Sequence, residues 1–284
     1  MAWCAARRSP VLSESGCYAA GPNWWKMELR SHDLAYFEMG AAENARFWRR
    51  FPGGMPVIQG QSVLDLGCGH GRLCVELAEA GAAQVLGLDI NQQLIDFAAF
   101  NLQQNFPELR GVVGFTSSGL ASMKAGSFDL VVSKDSFEHV IDLDGVLQEI
   151  ARCLRPGGRL YAGFGPLWNS PFGGHRRTPA RIPWGHLRFT EAQIVAAHNR
   201  RYKRQVVSLH DLDLNGLSLA DYRRIFASSE LHIVHFRINA SDKPVSRLFS
   251  LAARIPGLEE YFSHNIYCIL EKCNPAQGAA SENR

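Results

Sequence analysis

Long apolar runs are missing from this sequence. No stretch of the 284 residues approaches the ~20 needed to cross a bilayer as a helix, so no membrane span is expected. The opening "MAWCAARRSPVLSESG" has no continuous apolar segment, so no secretory signal is expected either. A charge excess is also missing. Lys+Arg 30 against Asp+Glu 27 leaves +3, too weak a field to mark a nucleic-acid protein. The seven cysteines (Cys4, Cys17, Cys68, Cys74, Cys153, Cys268 and Cys273) are odd in number and include no CxxC pair. That argues for reduced thiols, a cytoplasmic location and no metal centre. No internal repeat and no low-complexity tract is present, and the length suits one large domain, or one domain with an insertion.

What is present is an alternation. Residues 1 to about 25 read as a loose leader, and "GAASENR" at the end as a frayed tail. "AAENARFWRRF" is helix-like and stops at Pro52-Gly53-Gly54. Then come strand "SVLDL", helix "RLCVELAEA" ending at Gly81, strand "QVLGLD", and helix "NQQLIDFAAFNLQQN" opening on a cap at Asn91. Strands "GVVGFT" and "FDLVVS", helix "VLQEIARCL" halted by Pro156-Gly157-Gly158, and strand "RLYAGF" follow. Most of these strands are apolar on both faces, the mark of a parallel sheet covered by helices on both sides. The expected fold is therefore α/β and doubly wound.

The rhythm breaks over residues 166 to about 216, where Pro-Gly-aromatic loops surround one helix near 190–203. It resumes with helix "SLADYRRIFASSE", strand "LHIVHFRI", a helical connection over 244–254 and a last strand "NIYCILEK". Ligands in such sheets bind beyond the carboxyl ends of the strands. The insertion starts there, after the fifth strand, so it is placed to act as a lid.

The stretch "VLDLGCGHGR", residues 63–72, carries most of the functional information. Glycines 67, 69 and 71 follow a strand and precede a helix, so a ligand can approach the backbone closely. A dinucleotide site would have GxGxxG and a pyrophosphate at the helix N-terminus. Here the spacing is GxGxG, and Asp65 just ahead would repel a pyrophosphate and favour an amino group. Asp89, at the end of the second strand, can accept both hydroxyls of an unphosphorylated ribose. These features describe a nucleoside with a cationic amino-acid-like end and no phosphate.

"VLDLGCGHG", "GLDI", "SFDLVVSKDSFEHV" and "LRPGGRLYAGF", in that order, resemble the successive motifs of class I S-adenosylmethionine-dependent methyltransferases. The resemblance covers about residues 55–165 and implies a Rossmann-like, mostly parallel sheet with S-adenosylmethionine as cofactor. It implies that Asp65 and the Gly67-Cys68-Gly69 backbone hold the methionine portion, Asp89 the ribose hydroxyls, and that Ile90 packs on the adenine. Relatives commonly place an Asp where this chain has Ser117, so Ser117, Ser118 or backbone is expected to meet the adenine amino group.

Asp135, Glu138 and His139 follow the fourth strand, where acceptor and methyl group should meet. His139 is the first choice for a general base, and His175 in the lid the second. His175 and His186 lack the third ligand of a metal site. Trp168, Phe172, Trp184 and Phe189 lie among Arg176, Arg177, Arg181 and Arg188, a mixture suited to gripping an aromatic or anionic acceptor. "RRYKR", residues 200–204, is read as the charged end of a helix. The domain reading is a helical leader over 1–54 and a methyltransferase domain over 55–284, with the lid at about 166–216. The expected function is methyl transfer to a small molecule, with oxygen the favoured acceptor atom. Two alternatives stay open: an RNA or protein methyltransferase, and a non-catalytic S-adenosylmethionine-binding protein. No nucleic-acid partner is expected, and the oligomeric state is open.

Overall fold

The structure, a computed structural model, describes residues 31–175, 177–178, 182–203, 205–240 and 244–274. The expected leader and tail, together with Cys4, Cys17, Arg176, Arg181 and Arg204, lie outside the described residues.

Seven strands form one sheet in the order β3-β2-β1-β4-β5-β7-β6. β1 (Ser62–Leu66), β2 (Gln84–Leu88), β3 (Val113–Thr116), β4 (Phe128–Lys134) and β5 (Leu154–Phe164) are parallel. β7 (Ile266–Lys272) runs antiparallel between β5 and β6 (Leu231–Ile238). The order reverses at β1, which pairs with both β2 and β4. A crevice opens at such a switch point, beyond the strands' carboxyl ends.

Alternate residues of each strand face opposite layers. Val63, Val85, Val113, Val132 and Ile269 join one core with residues of α1 (Ser31–Trp48), α2 (Arg72–Glu79) and α3 (Gln92–Asn105). Leu64, Leu86, Val131, Leu160 and Leu270 join the other with residues of α4 (Leu143–Cys153) and α6 (Leu219–Ser228). The expected doubly wound α/β sheet is therefore present. Side chains cap the starts of α3, α4 and α6. Asn91, as expected, accepts from Gln93 N–H, and Ser218 forms a capping box with Asp221.

Three details differ from the sequence reading. α1 already includes Ser31, well upstream of "AAENARFWRRF", and tertiary contacts hold its first half: Phe37 is buried against Phe106 and under the Arg72 guanidinium. The break at Pro156-Gly157-Gly158 is a bulge inside β5. Pairing passes from Phe128 with Leu154 directly to Leu130 with Arg159, and Arg155 in the bulge binds both Asp129 oxygens at 2.6 Å. A short helix, α8 (Glu259–Phe262), precedes β7.

The insertion holds α5 (Glu191–Tyr202), close to its expected bounds, and a small core of Ile194, Leu212 and Leu214. The remaining helix, α7 (Pro244–Ala252), fills the expected connection between the last two strands.

Gly87, in the middle of β2, has no room for a side chain. A Cβ there would lie 2.7 Å from the Phe115 ring, 2.8 Å from Cys74 Sγ and 2.9 Å from Cys68 Sγ. Gly87→Ala is therefore expected to lower stability by roughly 1–3 kcal/mol through overpacking. Urea unfolding should show a lower midpoint at an unchanged slope. A wild-type midpoint would mean that this layer is looser than described.

Candidate functional site

The chain leaves β1 through Gly67-Cys68-Gly69-His70-Gly71. The Gly67 and Cys68 N–H groups both donate to the Leu88 carbonyl, at 2.8 and 3.0 Å, which fastens the turn to the end of β2. Gly67, Gly69 and Gly71 have φ of 80°, 52° and 80°, conformations in which other residues are strained. A Cβ on Gly71 would also lie 2.7 Å from Phe115, whereas one on Gly69 would meet nothing within 4 Å. The backbone at Gly69 is thus open to a ligand. Asp89 Oδ2 accepts the Gly69 N–H and Oδ1 the Asn91 N–H, each at 2.9 Å. A carboxylate offers about four acceptor positions, so capacity remains for hydroxyl groups. Ile90 beside it is 90% exposed, an uncovered apolar surface. Exposed Ser117 and Ser118 follow β3 on the same rim: Ser117 bonds to Gln92, and the Ser118 N–H donates to Thr116 Oγ1.

Asp65 differs from the expected direct contact with a ligand. It shares a strand face with Val63, is 2% exposed, and its Oδ2 accepts the Cys74 thiol at 3.2 Å. Burial pushes its carboxyl up to about 6. Asp65 braces the turn from beneath. Cys68 is buried there too, its Sγ 3.9 Å from the Gly69 carbonyl. Above the turn lies the first part of α1. His70 Nε2 is 3.3 Å from Asp33 Oδ1, and the His70 ring is 4.7 Å from that of Tyr36.

Across the switch point is a cavity of about 230 Å³. Asp135 lines it from the end of β4, Phe164 and Gly165 from the end of β5. Its far wall comes from the start of β7, with His264, Asn265 and Tyr267, and from Phe249 of α7. Arg50 enters from the segment after α1, and Phe172 from the insertion. The two halves of the site are tied together: Ser133 and Ser136 hydroxyls donate to the Leu66 carbonyl, and Ser136 Oγ occupies the space that a Cβ on Gly67 would need. Asp135 has φ of 52°, uncommon for a non-glycine residue, while its N–H still donates to the Gly163 carbonyl at 2.8 Å. Burial raises its carboxyl, Lys134, Arg50 and His139 pull it down, and Glu43 adds to the rise.

Neither expected histidine lines the cavity. His139 and His175 lie outside its lining, their rings 5.1 Å apart. His139 Nδ1 is 2.5 Å from the Asp213 carbonyl, an acceptor, so Nδ1 carries the proton and Nε2 the lone pair. His175 Nε2 is 2.8 Å from the Pro166 carbonyl, and burial pushes its ring down to about 4. Of the residues singled out in the insertion and described, only Phe172 reaches the cavity. His186 is buried with Nε2 on the Trp168 carbonyl, Trp184 donates to the Tyr261 carbonyl, Arg177 is paired with Asp213, and Phe189 and Arg188 are exposed. At the end of α5, Arg201 lies over the Tyr202 ring.

Residues 64–162 match a family model described as a methyltransferase domain. A 27-O-demethylrifamycin SV methyltransferase of Amycolatopsis mediterranei is 32% identical over 128 residues, 45% of this chain and 47% of that protein. A magnesium-protoporphyrin O-methyltransferase of Rhodobacter capsulatus is 42% identical over 97 residues, 34% of this chain and 42% of that one. The matching segment thus spans less than half of either relative's length. An S-adenosylmethionine-dependent methyltransferase from Mesorhizobium loti superposes with a TM-score of 0.54 at 17% identity, covering 81% of this chain and 99% of that one. At that identity the likeness concerns the fold. The rim fits such a cofactor: an open backbone at Gly69, spare acceptor capacity on Asp89, and the uncovered face of Ile90.

Glu138 is a second buried acid, in addition to Asp65. It is 4% exposed; Oε1 accepts the Gly165 N–H at 3.1 Å, and Oε2 has no partner among the described residues. Burial, reinforced by Asp135, pushes its carboxyl up from 4.5 to about 8. The fold favours the protonated form. Its stabilising contribution is full below about 4.5 and is lost as pH rises toward 8. Glu138→Gln should therefore match the wild type near pH 4 and gain on it steadily up to pH 8. Denaturant melts across that range check this; a constant difference would mean that Glu138 is ionised in the fold.

Proposed function

Over residues 64–162 the chain belongs to the class I S-adenosylmethionine-dependent methyltransferases, and from that premise we propose that it transfers a methyl group to an oxygen of a small molecule held in the 230 Å³ cavity. The observation that carries this reading is the juxtaposition across the β1–β4 switch point. The turn and Asp89 suit a nucleoside on one side, and an aromatic-walled cavity opens on the other. O-methyltransferases among the relatives support oxygen as the atom methylated. S-adenosylmethionine supplies, when bound, an electrophilic methyl group on a sulfonium. The protein's part is to align an acceptor with it, and alignment alone is worth ~7–11 kcal/mol of barrier.

In this reading Gly67, Cys68 and Gly69 hold the methionine end through their backbone, with Asp65 bracing them. Asp89 holds the ribose, and Ile90, Ser117 and Ser118 form the adenine rim. Residues 55–284 form the methyltransferase domain after a helical leader over 1–54, and residues 166–216 are its lid, touching the acceptor through Phe172. His139, outside the cavity lining but near enough to Asp135 to pull its carboxyl down, is the preferred proton acceptor, with its tautomer set by the Asp213 carbonyl. His175 is the lesser candidate, because an imidazole titrating near 4 is a weak base at neutral pH.

Metabolite extracts incubated with methyl-labelled cofactor test the proposal. Label should enter the small-molecule fraction; label in RNA or protein would overturn it, and cofactor binding without any transfer would favour a binding protein. Asp89→Ala should weaken S-adenosylhomocysteine binding by roughly 2–4 kcal/mol in calorimetry, since charge-assisted hydrogen bonds are lost. Unchanged affinity would remove Asp89 from the cofactor site. His139→Ala should lower turnover by ~10²–10⁴-fold with cofactor affinity kept, and His175→Ala far less. Wild-type rates from pH 5.5 to 9 in both variants would leave alignment as the whole of catalysis.

A further inference from the structure

We infer that the acceptor is an aromatic carboxylate whose anionic group is held by Arg50. The inference rests on the methyltransferase reading and extends it to the class of substrate. Arg50 is half-buried and lines the cavity. Its Nη1 donates to the Tyr267 hydroxyl, and its guanidinium carbon lies 5.0 Å from the Tyr267 ring centre. Tyr267 is itself 2% exposed, so the guanidinium is held on a rigid neighbour.

Arg50 makes no ion pair among the described residues; the pairs there join other arginines to Glu43, Glu76, Glu149, Asp129, Glu271, Asp213, Glu259 and Asp221. The Tyr267 phenol does not neutralise it, because burial pushes that hydroxyl up to about 12. A guanidinium has five N–H donors in a planar fork, and the phenol takes one of them. The donors left over match a carboxylate, which such a fork grips in bidentate fashion.

The other walls set the rest of the ligand. Phe164, Phe172, Phe249 and Tyr267 are aromatic, so a flat apolar body fits between them. Asp135 shares the cavity and would repel an anion beside it. The carboxylate therefore lies on the Arg50–Tyr267 side, and the oxygen to be methylated on the Asp135 side, toward the glycine turn. Two lid arginines that the sequence singled out do not compete for this role. Arg177 is held by Asp213 and the Leu212 carbonyl, and Arg188 lies outside the cavity lining.

The test uses the full chain saturated with S-adenosylhomocysteine, titrated in a calorimeter with 4-hydroxybenzoate and with phenol. The two probes share ring and hydroxyl and differ in the carboxylate. The wild type should bind 4-hydroxybenzoate about 10- to 100-fold tighter than phenol. Arg50→Met should erase the preference and Arg50→Lys restore part of it, with S-adenosylhomocysteine affinity unchanged in both variants. Equal binding of the two probes, no binding of 4-hydroxybenzoate, or a preference that survives Arg50→Met would overturn the inference while leaving the methyltransferase reading intact. Failure of the wild type to bind S-adenosylhomocysteine would instead defeat that reading and the inference with it.

Discussion

The Leu88 carbonyl accepts two backbone N–H groups, those of Gly67 and Cys68, and Asp89 next to it accepts a third from Gly69. The rest of the site depends on this fastening. β1 and β2 end side by side in register, Asp65 with Gly87 and Leu66 with Leu88, so the turn leaving β1 meets the end of β2 at once. Three residues at positive φ then carry the chain over into α2. Gly87 and Gly71 stay without side chains because Phe115 fills the space beneath them. The opening at Gly69 is the other side of the same arrangement: everything below it is packed, so only the outer face is free.

From that point the site is built outward by short links. The end of β1 is tied to the end of β4 by two serine hydroxyls on one carbonyl. Lys134, the last residue of β4, donates to Asn44 of α1, and Asn44 donates to Glu76 of α2. The helix that covers the turn is therefore bonded to the strand that leads into the cavity. Asp135 follows directly, in a left-handed conformation that other side chains rarely adopt. Glu138 sits behind it and holds the first residue after β5 through the Gly165 N–H. Two acids three residues apart thus serve different ends: Asp135 faces the cavity, while Glu138 is sealed under it and raised by burial.

Much of this was legible in the sequence, and the parts that were not share a cause. Strands β1 and β6 fall on the runs "SVLDL" and "LHIVHFRI" because short apolar runs bounded by turn residues are a local signal. The glycine turn after β1 and the place of Asp89 at the end of β2 were legible because they too are local in the chain. The burial of Asp65 was not, since strand parity turns it toward α2 and the motif alone does not show that. The cavity was invisible. Its walls come from Arg50, Asp135, Phe172, Phe249 and Tyr267, residues far apart in the chain. They meet only because β7 runs antiparallel between β5 and β6, bringing its first residues to the end of β5. The aromatic-rich insertion drew attention to its own arginines, while the cation that reaches the cavity, Arg50, precedes the sheet altogether.

A crystal structure of the chain with S-adenosylhomocysteine tests the central claim most directly. The account predicts the ribose hydroxyls on Asp89, the adenine against Ile90, and the sulfur at the β1–β4 switch point, facing the cavity beside Asp135. Electron density for the nucleoside away from the glycine turn, or a sulfur directed away from that cavity, would contradict it.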